Sequence, residues 1–124
     1  MANDKTILVV DDDPGARRLL QFVLAKTGCE ILTASDGAQA LDIASRQTIQ
    51  LLVTDVMMAG VDGLKLTQAL RQMPAYATLP IIMLSARWKS EYQDEVGLAD
   101  NVTLLTKPFS PIELISQINL LLKM

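Results

Sequence analysis

Short apolar runs alternate with helix-like segments along the whole chain, and this alternation restricts the fold more than any other feature. Five runs rich in Ile, Val and Leu are predicted to be strands: Thr6–Val10, Cys29–Thr33, Leu51–Thr54, Pro80–Leu84 and Val102–Leu105. Short continuous apolar runs are typical of parallel strands covered on both faces. Because a helix-like pattern follows each run, the sequence predicts an α/β protein with a five-stranded parallel sheet in a three-layer sandwich.

Capping and turn residues indicate where the helices begin. The five predicted helices start at Pro14, Gly37, Gly63, about Ser90 and Pro111. In the first helix, one apolar face is predicted to consist of Ala16, Leu19, Leu20, Val23 and Leu24. Gly28 then supplies the stop signal. The third helix is predicted to be capped by Asp62 and to run to about Met73.

Polar residues follow four of the predicted strands. Asp11-Asp12-Asp13 comes after the first strand, Asp55 after the third, Ser85 after the fourth and Lys107-Pro108 after the fifth. Right-handed crossovers permit few strand orders. In the doubly wound order 2-1-3-4-5 the first and third strands are neighbours, and ligands bind beyond the carboxyl ends of the strands. The sequence therefore predicts that these side chains meet at one edge of the sheet.

This set of side chains suits a divalent cation and a phosphoryl group. Mg²⁺ binds oxygen ligands and often needs only one or two protein carboxylates. A carboxylate can also act as a nucleophile and form a covalent intermediate, while a lysine and a hydroxyl can stabilise the charge of the transferring group. The chain contains no histidine, so histidine ligands, histidine acid–base catalysis and an internal phosphohistidine are excluded.

Length and charge limit the remaining classes. A chain of 124 residues that is 50% hydrophobic is expected to form one domain, over residues 1–124. Its net charge of −3 argues against direct nucleic-acid binding. The single cysteine, Cys29, is predicted to be a small buried residue in a reducing compartment. The polar N-terminus lacks a signal-peptide pattern, and no apolar stretch is long enough to span a bilayer, so a cytoplasmic protein without membrane contact is expected.

The sequence resembles the receiver domain of bacterial two-component response regulators, chemotaxis regulators included. The matching stretches occur in the family's order and spacing: Ile7–Pro14, Thr54–Met58, Asp62-Gly63, Leu84–Ala86 and Thr106–Phe109. The resemblance covers essentially the whole chain. It implies the flavodoxin-like (βα)5 fold with strand order 2-1-3-4-5.

The resemblance also implies a role for each matching residue. Asp55 would be the phosphoacceptor. Asp11, Asp12 and Asp55 would hold Mg²⁺ together with the backbone carbonyl of Met57, with Asp12 favoured as a direct ligand and Asp11 acting partly through water.

Other residues of the motif would contact or shield the phosphoryl group. Ser85 and Lys107 would contact it, and Pro108 would follow a cis peptide bond. Met57 and Arg87 would flank the path of the water that hydrolyses the acyl phosphate. Neither side chain can act as a general base, which predicts slow hydrolysis.

The implied function is a phosphorelay switch rather than a turnover enzyme. The donor would be a phosphohistidine on a histidine kinase or a histidine phosphotransfer protein, and the chain would catalyse only its own phosphorylation and dephosphorylation. The output partner, which is unknown, is expected on the face formed by the fourth helix, fifth strand and fifth helix.

The sequence departs from the common family pattern at three places. Ala59 replaces a proline in the loop after the phosphoacceptor. Leu104 replaces the usual aromatic residue whose rotation accompanies activation, so output without an aromatic switch is expected. Asp100-Asn101-Val102 stands where the family commonly has Gly-Ala-Asp.

Two other functional interpretations stay open at this stage. The first is a haloacid-dehalogenase-like Mg²⁺ phosphatase, because Asp11-x-Asp13 matches its Asp-x-Asp start, although the acidic cluster it needs after a late strand is replaced by Lys107-Pro108-Phe109. The second is a receiver domain that belongs to a longer protein. Simpler structural roles are also expected for two motif residues: Asp13 as a helix cap, and Gly63 as part of a turn.

Overall fold

Five parallel strands form one sheet in the order β2-β1-β3-β4-β5. The structure is a computed structural model that describes residues 4–56, 63–85 and 101–124. The strands are β1 (Thr6–Val10), β2 (Glu30–Ala34), β3 (Leu51–Asp55), β4 (Ile81–Ser85) and β5 (Val102–Thr106). The predicted fold class and strand order are confirmed, and each predicted strand boundary lies within one residue of the observed one.

Burial separates the three inner strands from the two edge strands. Almost every side chain of β1, β3 and β4 is buried, whereas β2 and β5 are mostly half-buried. An edge strand has a neighbour on one side only, so water reaches it. The expectation that strands are covered on both faces is therefore right for the inner strands and too strong for the edges.

Four α-helices lie within the described residues. They are α1 (Pro14–Leu24), α2 (Gly37–Arg46), α3 (Gly63–Arg71) and a C-terminal helix (Pro111–Leu122). Asp13, Asp36 and Ser110 cap three of them by accepting a hydrogen bond from a backbone amide three residues later. The helix predicted to start at about Ser90, and the predicted cap Asp62, lie outside the described residues. No described helix is long and apolar enough to cross a membrane.

Two hydrophobic cores lie on opposite faces of the sheet. Successive strand residues alternate between the faces, so Leu8 and Leu52 pack with α2 and α3, while Ile7 and Val53 pack with α1 and the C-terminal helix. Helices thus cover both faces of the inner strands. This three-layer arrangement leaves the carboxyl edge of the sheet as the place where loop side chains meet.

Two details of the helix predictions are wrong. Leu19 is 53% exposed, because the buried face of α1 is centred on Leu20, Val23 and Leu24, and Leu19 is turned away from that face. The third helix ends at Arg71 rather than near Met73. Cys29, by contrast, is buried as predicted.

Candidate functional site

Three carboxylates gather where β1 and β3 end side by side. Val10 pairs with Thr54 in the sheet, so Asp11 and Asp55 follow at neighbouring positions. One carboxylate oxygen from each of Asp11, Asp12 and Asp55 lies within 4.8 Å of the others. The strand order predicted this cluster, and the described residues bring it together.

The three carboxylates differ in their exposure to water. Asp11 is buried, the Asp55 side chain is 13% exposed, and Asp12 is exposed. Asp11 Oδ1 accepts a hydrogen bond from the backbone N of Asp13 at 3.0 Å. The cluster therefore has a fixed inner carboxylate and an outer one that a solvated ion can reach.

The ammonium group of Lys107 bridges the two inner carboxylates. Its Nζ lies 3.2 Å from Asp11 Oδ2 and 3.1 Å from Asp55 Oδ2. Burial by itself would lower the pKa of Lys107, but attraction and hydrogen bonding to Asp55 and Asp11 outweigh it and raise the pKa above its usual value. Lys107 therefore stays protonated and offsets part of the charge of the cluster.

The end of β5 and the turn that follows place Lys107. Its backbone N donates to the carbonyl of Ser85 at 2.6 Å, which joins the ends of β4 and β5. The Lys107–Pro108 peptide bond is cis. Ser85 is the last residue of β4 and is fully buried beside this edge, between the strands that carry Asp55 and Lys107.

Asp13 has the structural role expected for it. Its Oδ2 accepts a hydrogen bond from the backbone N of Ala16 at 3.1 Å, which caps α1. Asp13 is thus a helix cap in the same loop as Asp11 and Asp12. Substitutions of Asp13 can therefore serve as controls for substitutions of the clustered carboxylates.

Gly63 has a closer relation to the site than its expected turn role implies. A Cβ atom at this position would lie 2.5 Å from the carbonyl oxygen of Asp55 and 3.0 Å from Cα of Val56. The backbone N of Gly63 also donates to the carbonyl of Val56 at 3.0 Å. The start of α3 therefore packs directly on the backbone of Asp55. The Asp62-Gly63 dipeptide was the sequence signal, but a dipeptide does not reveal what its backbone contacts.

Two predicted site residues, Met57 and Arg87, lie outside the described residues, as do two positions that depart from the family pattern, Ala59 and Asp100. Two positions where the sequence departs from the family are described. Leu104 is half-buried and packs against the α2–α3 side of the core. Asn101 adopts a left-handed backbone conformation and donates from Nδ2 to the carbonyl of Thr78 at 2.9 Å.

The donor set fits a hard divalent cation. Carboxylate oxygens are the ligands that Mg²⁺ and Ca²⁺ take, and among the described residues the cluster includes no cysteine or histidine. Lys107 lies next to the inner carboxylates after the last strand, where the dehalogenase-like alternative would need further acidic residues. The geometry thus favours a phosphoryl-handling site of the receiver type over that alternative.

Comparisons with known proteins agree with this geometry. Residues 7–119 match the model of the response regulator receiver domain family. A 14.6 kDa protein from the sodA1 3′ region of Leptolyngbya boryana is 40% identical over 109 residues, which cover 88% of this chain and 83% of that protein.

A longer relative and a solved structure are also similar. The alkaline phosphatase synthesis transcriptional regulatory protein PhoP of Bacillus subtilis is 39% identical over 123 residues, which cover 97% of this chain but only 49% of PhoP. The chemotaxis protein CheY4 of Vibrio cholerae superposes with a TM-score of 0.89 at 28% identity, covering 96% of this chain and 99% of the CheY4 chain. The family model covers most of the chain. The chain therefore belongs to the response regulator receiver domains, which are the phospho-accepting modules of two-component signalling.

Proposed function

We propose that Asp55 accepts the phosphoryl group and that Asp11, Asp12, Ser85 and Lys107 support the transfer. The observation that carries the proposal is the Lys107 ammonium, which bridges Asp11 and Asp55 at 3.2 and 3.1 Å. Asp55 is at the end of an inner strand and its side chain is 13% exposed, so part of the carboxylate is accessible from outside.

The transfer balances as a simple displacement at phosphorus. A carboxylate oxygen of Asp55 forms the new P–O bond while the P–N bond to the donor histidine breaks. The leaving imidazole nitrogen takes up a proton, and the product is an aspartyl phosphate. Water later breaks the acyl phosphate to give phosphate and the Asp55 carboxylate. Because this chain contains no histidine, the donor histidine lies outside residues 1–124, and a histidine kinase or a histidine phosphotransfer protein is the proposed donor.

Asp11, Asp12 and Asp55 would hold Mg²⁺, with the backbone carbonyl of Met57 as a further proposed ligand. When bound, the cation neutralises charge on the phosphoryl oxygens. Lys107, whose ammonium contacts Asp11 and Asp55, would neutralise charge on the phosphoryl group as well, and its raised pKa keeps it protonated. Ser85, at the end of β4 on the same edge of the sheet, would contact a phosphoryl oxygen through its hydroxyl.

The proposed output is a conformational change that Ser85 begins. Its movement toward the phosphoryl group would bias an existing two-state equilibrium in the face formed by the predicted fourth helix, β5 and the C-terminal helix. Leu104 lies on β5 in place of an aromatic residue, so this change would not involve an aromatic rotamer. The chain would catalyse only its own phosphorylation and dephosphorylation, and residues 1–124 would form one receiver domain, either alone or in a longer protein.

Labelling with a small phosphodonor tests the assignment of Asp55. Wild type, Asp55→Asn and Asp13→Asn are incubated with Mg²⁺ and acetyl phosphate, and the modified residue is mapped by mass spectrometry. Asp55→Asn should not be labelled. Asp13→Asn removes a carboxylate from the neighbouring loop but keeps a capping side chain, so it should be labelled like wild type. Undiminished labelling of Asp55→Asn would refute the assignment.

Decay of the labelled protein tests the proposed shielding by Met57 and Arg87. The first-order loss of phosphate in Mg²⁺ is compared between wild type, Met57→Asn and Arg87→Glu. Both variants should lose phosphate faster, because each offers a group that can hydrogen-bond an attacking water. If both keep the wild-type rate, these side chains do not shield the acyl phosphate.

A further inference from the structure

We propose that Arg17 is a positioning residue. It holds the acidic loop, Asp11–Asp13, in the geometry required for the divalent cation. This inference deepens the proposed function and rests on it. Arg17 lies in the first turn of α1, five residues after Asp12, and is half-buried.

Arg17 contacts the acidic loop at two points. Its guanidinium Nη1 donates to the carbonyl oxygen of Asp11 at 2.8 Å, and its backbone N donates to the carbonyl of Asp13 at 3.0 Å. The side chain and the backbone of one residue thus hold both ends of the segment Asp11–Asp13. Since the peptide group is planar, a fixed Asp11 carbonyl also fixes the direction in which Asp12 leaves that plane.

Asp12 depends on this backbone contact more than Asp11 does. The Asp11 carboxylate is held by the amide of Asp13 and the ammonium of Lys107. Within the part of the chain that the structure describes, no hydrogen bond restrains the Asp12 side chain, which is exposed. The orientation of Asp12 is therefore set by its own backbone, and the Arg17 guanidinium restrains that backbone.

A positioning role and a simple charge effect change metal affinity in opposite directions. If Arg17 acted only as a nearby cation, its removal would reduce repulsion and strengthen Mg²⁺ binding. If it positions Asp12, its removal lets the loop move and weakens binding. Arg18 is a matched control, because it is the next residue of the same helix, carries the same charge and is exposed.

The experiment measures the Mg²⁺ dissociation constant of the full chain by calorimetry for wild type, Arg17→Ala, Arg17→Lys and Arg18→Ala. Arg17→Ala should bind about tenfold more weakly, the size of effect seen when partners that orient a metal ligand are removed. Arg18→Ala should stay within about twofold of wild type, as exposed substitutions usually do. Arg17→Lys should recover most of the loss, since its ammonium can also donate to the Asp11 carbonyl.

Labelling kinetics separate positioning from general destabilisation. With acetyl phosphate, Arg17→Ala should need more Mg²⁺ for half-maximal rate but reach a near-wild-type rate at saturation. Binding by Arg17→Ala as tight as, or tighter than, that of wild type would overturn the inference. Equal weakening in Arg17→Ala and Arg17→Lys, accompanied by equal losses of melting temperature, would overturn it as well.

A substitute variant and the behaviour of the wild type keep the test decisive. If Arg17→Ala does not fold, Arg17→Gln replaces it under the same criteria. If wild type neither binds Mg²⁺ nor is labelled, the proposed function itself fails. If wild type does both and Arg17→Ala behaves identically, only the role of Arg17 fails.

Discussion

Replacing Gly63 by Ala should disturb Asp55 through the backbone, without touching any charged side chain. The new Cβ would lie 2.5 Å from the Asp55 carbonyl oxygen, 0.9 Å short of the 3.4 Å at which ordinary contact begins. It would also lie 3.0 Å from Cα of Val56. Both neighbours are backbone atoms of β3 or the residue after it, so no flexible side chain can turn away to relieve the contact.

The energetic cost follows from two opposing effects. Forcing a methyl group into such a contact costs about 1–3 kcal/mol. Alanine is the better helix former by up to about 1 kcal/mol, and by less in a first turn. The free energy of unfolding should therefore fall by about 1–2 kcal/mol, which lowers the melting temperature of a chain of this size by about 3–10 °C.

The effect on phosphorylation should exceed what the lost stability explains. Shifting α3 or the Asp55 backbone by a large fraction of an ångström misplaces the attacking carboxylate, and misplacement of about 1 Å can cost about a hundredfold in rate. We expect the acetyl phosphate labelling rate at saturating Mg²⁺ to fall at least about tenfold at a temperature where the variant is fully folded.

Gly15→Ala is the matched control for this substitution. Gly15 also lies in the first turn of a helix, and its added Cβ would be 3.6 Å from Asp13 Oδ2, which is an ordinary contact. Gly15→Ala should melt at or slightly above the wild-type temperature, because it gains the helix preference of alanine without a close contact, and it should be labelled like wild type. The reasoning is refuted if Gly63→Ala matches Gly15→Ala in both melting temperature and labelling rate.

Three further outcomes are expected. Lys107→Met should lower the melting temperature without Mg²⁺, because Asp11 and Asp55 lose their shared counter-charge, and saturating Mg²⁺ should then raise it more than in wild type, as thermal melts would show. Because the folded-state pKa of Lys107 is raised, its stabilising contribution should be complete below its ordinary pKa of 10.5 and be lost as the pH rises through the higher folded value, so denaturant titrations should show a loss in wild type that Lys107→Met lacks. Tyr76→Phe should cost about 1–3 kcal/mol in denaturant unfolding, because the buried hydroxyl donates to the carbonyl of Ala44 at 2.7 Å.

The sequence was sufficient to predict the strands, the starts of the described helices and the acidic cluster. Inner strands are continuous apolar runs, and Asp13 and Ser110 are strong cap signals, so the strands and the four helix starts within the described residues are confirmed. The carboxyl ends of parallel strands share one edge, which brings Asp11 and Asp55 together once the strand order is known.

The sequence was not sufficient where backbone contacts or the width of a buried face decide the outcome. Leu19 has helical spacing with buried residues, but the sheet covers a narrower face of α1 than the apolar pattern suggests. The contact of Gly63 with the Asp55 carbonyl, and that of Arg17 with the Asp11 carbonyl, join residues through main-chain atoms. A main-chain acceptor is common to every residue type, so it leaves no mark in the sequence.

The charges of the site are consistent with the proposal that it uses both Lys107 and a divalent cation. Asp11, Asp12 and Asp55 carry three negative charges when ionised, and Lys107 returns one positive charge, which leaves two negative charges for a divalent cation to offset. An acyl phosphate on Asp55 would replace a singly charged carboxylate by a group with nearly two charges. The modified site would then hold excess negative charge beside β4 and β5. Donors at the ends of these strands, the Ser85 hydroxyl and the Lys107 ammonium, are the groups that such a charge would attract, so phosphorylation would act on the same edge of the sheet that connects to the proposed output face.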